Sequence, residues 1–118
     1  MRFRMRTRRH KVFLLSTLAL CLCGIVRADQ PDVVTNFTRE FCIKCHGPDA
    51  KKGDFRIDRL SWNLTENETR EQWKLVADYV SDGDMPPKKA NKHPDAAERV
   101  AFLNLLRHEF AQADRNAA

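Results

Sequence analysis

Two cysteines three residues apart, with a histidine directly after the second, constrain this chain more than any other feature: Cys42-Ile43-Lys44-Cys45-His46. Cys-x-x-Cys-His is the attachment pattern for c-type haem. On a helical turn, residues i and i+3 lie on one side. Both thiols can therefore reach the two vinyl groups of one porphyrin edge, and the histidine that follows can give a nitrogen to iron. Two blander readings use the same residues. A structural zinc site needs four ligands, usually two pairs of Cys or His; residues 29–118 hold only this Cys pair, with His93 and His108 far along the chain. A thioredoxin-like dithiol needs a βαβ context, and no strand–helix alternation is visible. The spacing predicts one covalent haem c on Cys42 and Cys45, with His46 as the proximal iron ligand.

Where such a haem is attached depends on the compartment, and the N-terminus addresses that. Residues 1–28 carry seven basic residues and no acid, then an apolar run over 12–26, then Val26-Arg27-Ala28 before Asp29. A positive start, an apolar middle and small or apolar residues at −3 and −1 are the layout of a secretory signal peptide. The apolar run is short of the roughly 20 residues a spanning helix needs. Export with cleavage after Ala28 is expected, to the periplasm or its equivalent, with no stable membrane insertion afterwards. The formal charge of +5 belongs to this leader: the remainder has 14 basic and 16 acidic residues, a net −2. No argument for nucleic-acid binding survives its removal.

The remaining 90 residues predict one all-α domain with three amphipathic helices and two loops. The first runs over about 31–45, with Val33/Val34, Phe37 and Phe41 at helical spacing. A charged, partly extended loop holding Phe55 and Ile57 follows. The second helix is expected to start at Thr65, where Thr65-Glu66-Asn67-Glu68 reads as a capping box, to bury Trp73, Val76, Ala77 and Val80, and to stop at Asp82-Gly83. The third starts near Asp95 with Val100, Leu103, Leu106 and Phe110 as its stripe, Phe102 and Leu105 beside it, and 112–118 as a polar tail. Phe37 and Phe41 are expected to pack on Leu103 and Leu106, with haem filling the rest of the interior.

Met85 is the only methionine after residue 28, and it sits in a loop followed by Pro86-Pro87. As a gap-filling apolar residue it has little to do there. As a distal iron ligand it does, because Met/His coordination raises the reduction potential and suits electron transfer. His93 and His108 are the other candidates for that place. Lys88, Lys89 and Lys92 cluster beside this loop, a basic rim suited to an acidic redox partner.

With both segments in hand, the chain resembles the planctomycete-type cytochrome c family over about 34–112. Phe41-Cys42-Ile43-Lys44-Cys45-His46-Gly47-Pro48 is similar to its attachment segment. Lys52-Gly53-Asp54-Phe55-Arg56-Ile57-Asp58 resembles its Lys-Gly-x-Leu-Arg-Leu-Asp element, and Met85-Pro86-Pro87 its distal segment. The resemblance implies a small cytochrome c-like domain with the same thioether and axial residues, and makes Arg56 a candidate partner for a haem propionate. It implies an electron carrier rather than an enzyme, working with a redox partner protein. Two other roles stay open: a haem-bearing module of a larger oxidoreductase system, and a haem-based sensory or structural domain.

Overall fold

Apolar residues three and four apart make α1, Asp32–Phe41, with Val34 and Phe37 buried, Asp32 in the first turn and Arg39 in the last, each complementing the helix dipole. The structure is a computed structural model that describes residues 29–118; the predicted signal lies outside them. α1 stops before the expected Cys45. The amide N–H groups of Cys42 and Ile43 both donate to the Thr38 carbonyl, each at 2.9 Å. Sharing one acceptor takes the chain out of the i→i−4 register, and 42–45 winds on as turns.

α2 spans Asn67–Asp82 and α3 spans Ala96–Ala117. The capping box expected at Thr65 does not form. Asn63 competes for the same groups: Thr65 Oγ1 donates to Asn63 Oδ1 at 2.7 Å and Asn63 Nδ2 donates to Glu66 Oε1 at 2.8 Å. Glu66 is left as an N-cap without a side-chain cap. The box forms instead at α3, where Glu98 N–H donates to Asp95 Oδ1 (2.8 Å) and Asp95 N–H to Glu98 Oε2 (2.9 Å). At the other end of α2, Gly83 takes the left-handed conformation (φ 79°) that a glycine C-cap supplies.

α3 packs against both other helices. Its stripe is wider than a single partner would require: Phe102, Leu103, Leu106 and Ala113 are buried, whereas Val100 is 55% exposed. The contact with α1 is aromatic, with Phe37 stacked on Phe102 at 4.0 Å between ring centroids and 9° between planes. Phe102 thus takes the place expected of Leu103 and Leu106, which lie in the same core. Residues 112–117 are helical rather than a tail, because Ala113 is buried and Asp114 pairs with Arg70 of α2 at 3.1 Å. Trp73 anchors the preceding loop: its indole N–H donates to the Ser61 carbonyl at 2.8 Å and its ring meets Trp62 edge-on. No strand forms among the described residues, and none of their helices is long and apolar enough to cross a membrane.

Candidate functional site

The attachment turn is built on backbone bonds. Cys45 N–H and His46 N–H both donate to the Cys42 carbonyl, at 3.1 and 3.0 Å. The chain then reverses through 47–50, Gly47 N–H donating to Ala50 O at 2.9 Å, and Lys52 N–H returns to the Cys45 carbonyl at 2.9 Å. Gly47 is required by close approach. A Cβ there would lie 2.3 Å from the Ile43 carbonyl oxygen and 2.9 Å from Ile43 Cγ1. G47A must therefore push the backbone of the cysteine turn aside, at an expected cost of about 1–3 kcal/mol. The denaturant midpoint of the purified protein measures it, and an unchanged midpoint would show that the turn has room.

Both cysteines are free thiols. Burial, with a smaller contribution from the neighbouring Cys45, pushes the Cys42 thiol up to about 12. At neutral pH it is a protonated thiol in an apolar wall. A catalytic dithiol instead lowers its attacking cysteine toward the thiolate, so this environment argues against redox-pair chemistry. Nor do three His, Cys, Asp or Glu side chains converge anywhere among the described residues as metal ligands, and a four-ligand zinc centre has no donor set there.

His46 is partly buried, and its Nδ1 is buried without a hydrogen-bond partner. Its ring meets Phe55 edge-on, centroids 5.6 Å apart at 66°. The strand-like return of the loop fixes its backbone, Ile57 N–H donating to the His46 carbonyl at 2.9 Å. Thirty-nine residues further on, Met85 is brought to the same place by the end of α2. The amide N–H groups of Asp84 and Met85 both donate to the Tyr79 carbonyl, at 3.0 and 3.1 Å. Arg99 from α3 ties down the same helix end, donating to the Val80 carbonyl at 2.8 Å. Pro86 is buried, and His93 Nε2 lies 3.1 Å from the Pro87 carbonyl.

Cys42, His46 and Met85 line one cavity of about 410 Å³, and Phe55, Ile57, Val76 and Val80 contribute to its wall. The same three residues with Cys45 also line a smaller cavity of about 50 Å³ beneath Pro86 and Pro87. Two thiols, an imidazole with one orphaned nitrogen and a thioether beside an apolar slot are the donors that a haem requires. Trp73 belongs to the core and is not on this wall.

Arg56 is placed differently. It is absent from the lining of either cavity, and its guanidinium makes a two-point bond to Asp58, Nε to Oδ1 at 2.7 Å and Nη2 to Oδ2 at 2.5 Å. That pairing holds the Asp58 carboxyl below its ordinary range and raises Arg56 further. The ion pair therefore stabilises the fold above the unfolded carboxylate value of about 3.9. Its contribution is lost as the pH falls through the lower folded value. R56Q should be less stable than wild type at pH 7, with the gap closing below about pH 4; urea midpoints at pH 7 and pH 3 test this, and a gap that persists in acid would contradict it.

Sequence reasoning named Val76 but missed Gln72, Leu75 and Tyr79, which lie beside it on α2. Gln72, Leu75, Val76 and Tyr79 line the larger cavity, and Leu75 and Tyr79 are 55% and 44% exposed. Their i, i+3, i+4, i+7 spacing was the available signal, a second apolar stripe on a helix that already had one.

The family model described as Planctomycete cytochrome C matches residues 42–89, from the first cysteine of the attachment turn to just past Met85-Pro86-Pro87. No curated protein and no solved structure matches the chain.

Proposed function

Residues 42–89 belong to the planctomycete cytochrome c family, and from that premise we propose that the chain is an exported monohaem c-type cytochrome that carries electrons and performs no chemistry on a substrate. The observation that carries this reading is the meeting of Cys42, His46 and Met85 on one apolar cavity wall, although Met85 lies 39 residues past His46. Cys42 and Cys45 would hold the porphyrin as thioethers, His46 and Met85 its iron. When bound, the haem supplies a reversible one-electron couple. The protein's part would be to hold His46 and Met85 in place, to line the site with apolar Phe55, Val76 and Val80, and by Met/His ligation to favour the reduced state.

The test is direct. The full chain is expressed in an export-competent host with haem-attachment machinery, denatured, and its reduced pyridine complex recorded. A c-type spectrum that stays with the polypeptide supports the proposal, and a chain that starts at Asp29 supports cleaved export. Haem-free protein from that host would overturn it.

The redox partner would be a protein with an acidic face. Lys88 and Lys89 are exposed in the loop that follows Pro86-Pro87, whereas Lys92 is taken up in an ion pair with Glu40 of α1. Exposed charges act over about 10 Å at 0.1 M salt, so their work is steering. K88Q/K89Q should slow electron exchange with the native partner several-fold at low salt and converge with wild type at high salt; equal rates at low salt would remove the idea.

A further inference from the structure

Arginines join α2 and α3 at opposite ends. Arg70, near the start of α2, pairs with Asp114 near the end of α3. Arg99, near the start of α3, reaches the end of α2, where its Nη1 donates to the Val80 carbonyl at 2.8 Å. For its own helix this cation is badly placed. Asp95 is the N-cap of α3 and Arg99 the fourth residue after it, at the positive end of the dipole. For α2 it is well placed. The last turn of α2 holds no basic residue, and Asp82 and Asp84 stand on either side of Gly83. Nothing local offsets the negative end of that dipole, and Arg99 supplies the missing cation from across the interface.

What Arg99 holds is the turn that carries Met85. The Tyr79 carbonyl accepts from the amides of Gly83, Asp84 and Met85, three donors for the two lone pairs of one oxygen. Gly83 N–H also turns to the Val80 carbonyl, at 3.3 Å. The turn is thus thinly secured by its own bonds, and the guanidinium grips one of its two acceptors with a charge-assisted bond. Arg99 Nη1 also lies 3.8 Å from where a Cβ on Gly83 would stand, so it covers the left-handed residue. We propose that Arg99 is a positioning residue for Met85, fixing from α3 the backbone that keeps the thioether in the cavity wall. The assignment rests on the haem reading above. Arg99 lines neither cavity, so its effect passes through the Val80–Met85 backbone alone.

Imidazole titration of the oxidised full-length holoprotein tests this. Imidazole takes the distal place on iron only when Met85 lets go, and loss of the sulfur-to-iron band reports the exchange. R99Q should keep its covalent haem and bind imidazole about tenfold more tightly, the low end of what one bond to a charged group is worth. R99K keeps the charge but not the planar fork, and should fall between R99Q and wild type. R70Q removes the other bridge between the same helices and should leave imidazole affinity at the wild-type value, whatever it does to stability. Wild-type affinity in R99Q, or an equal gain in R70Q, would overturn the assignment. If R99Q does not accumulate, R99K decides: affinity above wild type supports the assignment and affinity equal to it refutes it. The wild-type sample separates the two levels of the argument. Without covalent haem or the sulfur-to-iron band, the haem reading or its Met85 ligand fails; with both present and the Arg99 variants unmoved, only the role of Arg99 does.

Discussion

A haem-free preparation of this chain, made with both Cys42 and Cys45 replaced by alanine, is expected to show no cooperative thermal transition. The magnitudes decide this. An empty cavity destabilises by about 24 cal/mol per Å³, and the site encloses about 410 Å³. The upper bound is about 10 kcal/mol, an upper bound because the cavity is partly open to solvent. A domain of the 90 described residues has a total stability of about 5–14 kcal/mol, at 0.05–0.15 kcal/mol per residue. The penalty is thus of the same size as the whole. It does not fall evenly, however. The Phe37–Phe102 stack and the buried Trp73 lie outside the cavity lining. Helix content should therefore persist while fixed packing is lost, giving near-native far-UV and weak near-UV circular dichroism. Calorimetry of the holoprotein beside the haem-free variant is the check. A sharp transition in the haem-free chain would show that the three helices are self-sufficient.

The same partition explains what could be read from the residues and what could not. The attachment turn is legible because its chemistry is local: five consecutive residues carry it, and the backbone needs only a bend after Phe41 to present them. Helix existence was legible for the same reason, from spacing alone. Helix ends were legible only in part: the stop of α2 at Asp82-Gly83 and the start of α3 at Asp95 are as their local patterns predict, whereas the end of α1, the start of α2 and the end of α3 are not. Thr65 and Asp95 each head a box-like pattern, yet only Asp95 caps, because Asn63 stands two residues before Thr65 and takes its hydroxyl. The extension of α3 through 112–117 depends on Arg70, 44 residues away from Asp114, and no local pattern announces such a partner. Leu75 and Tyr79 were unreadable for a deeper reason. They face a volume that no side chain fills, so on a helix already burying Trp73 and Val80 they look like stray surface residues. Sequence patterns record what protein packs on, and part of this interior is not lined up against protein. Arg56 shows the converse case: the motif brings it near the site, but its pairing with Asp58 is visible only once the loop is folded.

Met85 is where sequence and structure must be joined by experiment, and M85L is the variant to make. Leucine is close to isosteric, so the fold should lose less than about 1.5 kcal/mol. Met85 is only partly buried, and what places it is backbone: its own N–H on the Tyr79 carbonyl, the Gly83 turn before it and buried Pro86 after it. None of these needs the thioether, so the loop should stay closed. The covalent haem should be retained, since Cys42, Cys45 and His46 are untouched. What should go is the sulfur-to-iron band of the oxidised spectrum, and with it a fall in midpoint potential on the order of 100 mV or more, because a soft thioether is what favours the ferrous state. Retention of the haem with loss of the band and of potential separates ligation from packing, since a gap-filling methionine would move the melting temperature and leave both signals alone. If both signals survive M85L, the iron has another distal partner. His93 is then the nearest alternative in the chain, but its Nε2 is at 3.1 Å from the Pro87 carbonyl and would have to give up that contact to reach the cavity. A ligand exchange of that kind would open the loop, and H93Q in the M85L background would separate the two cases: unchanged spectra exclude His93, and their collapse identifies it.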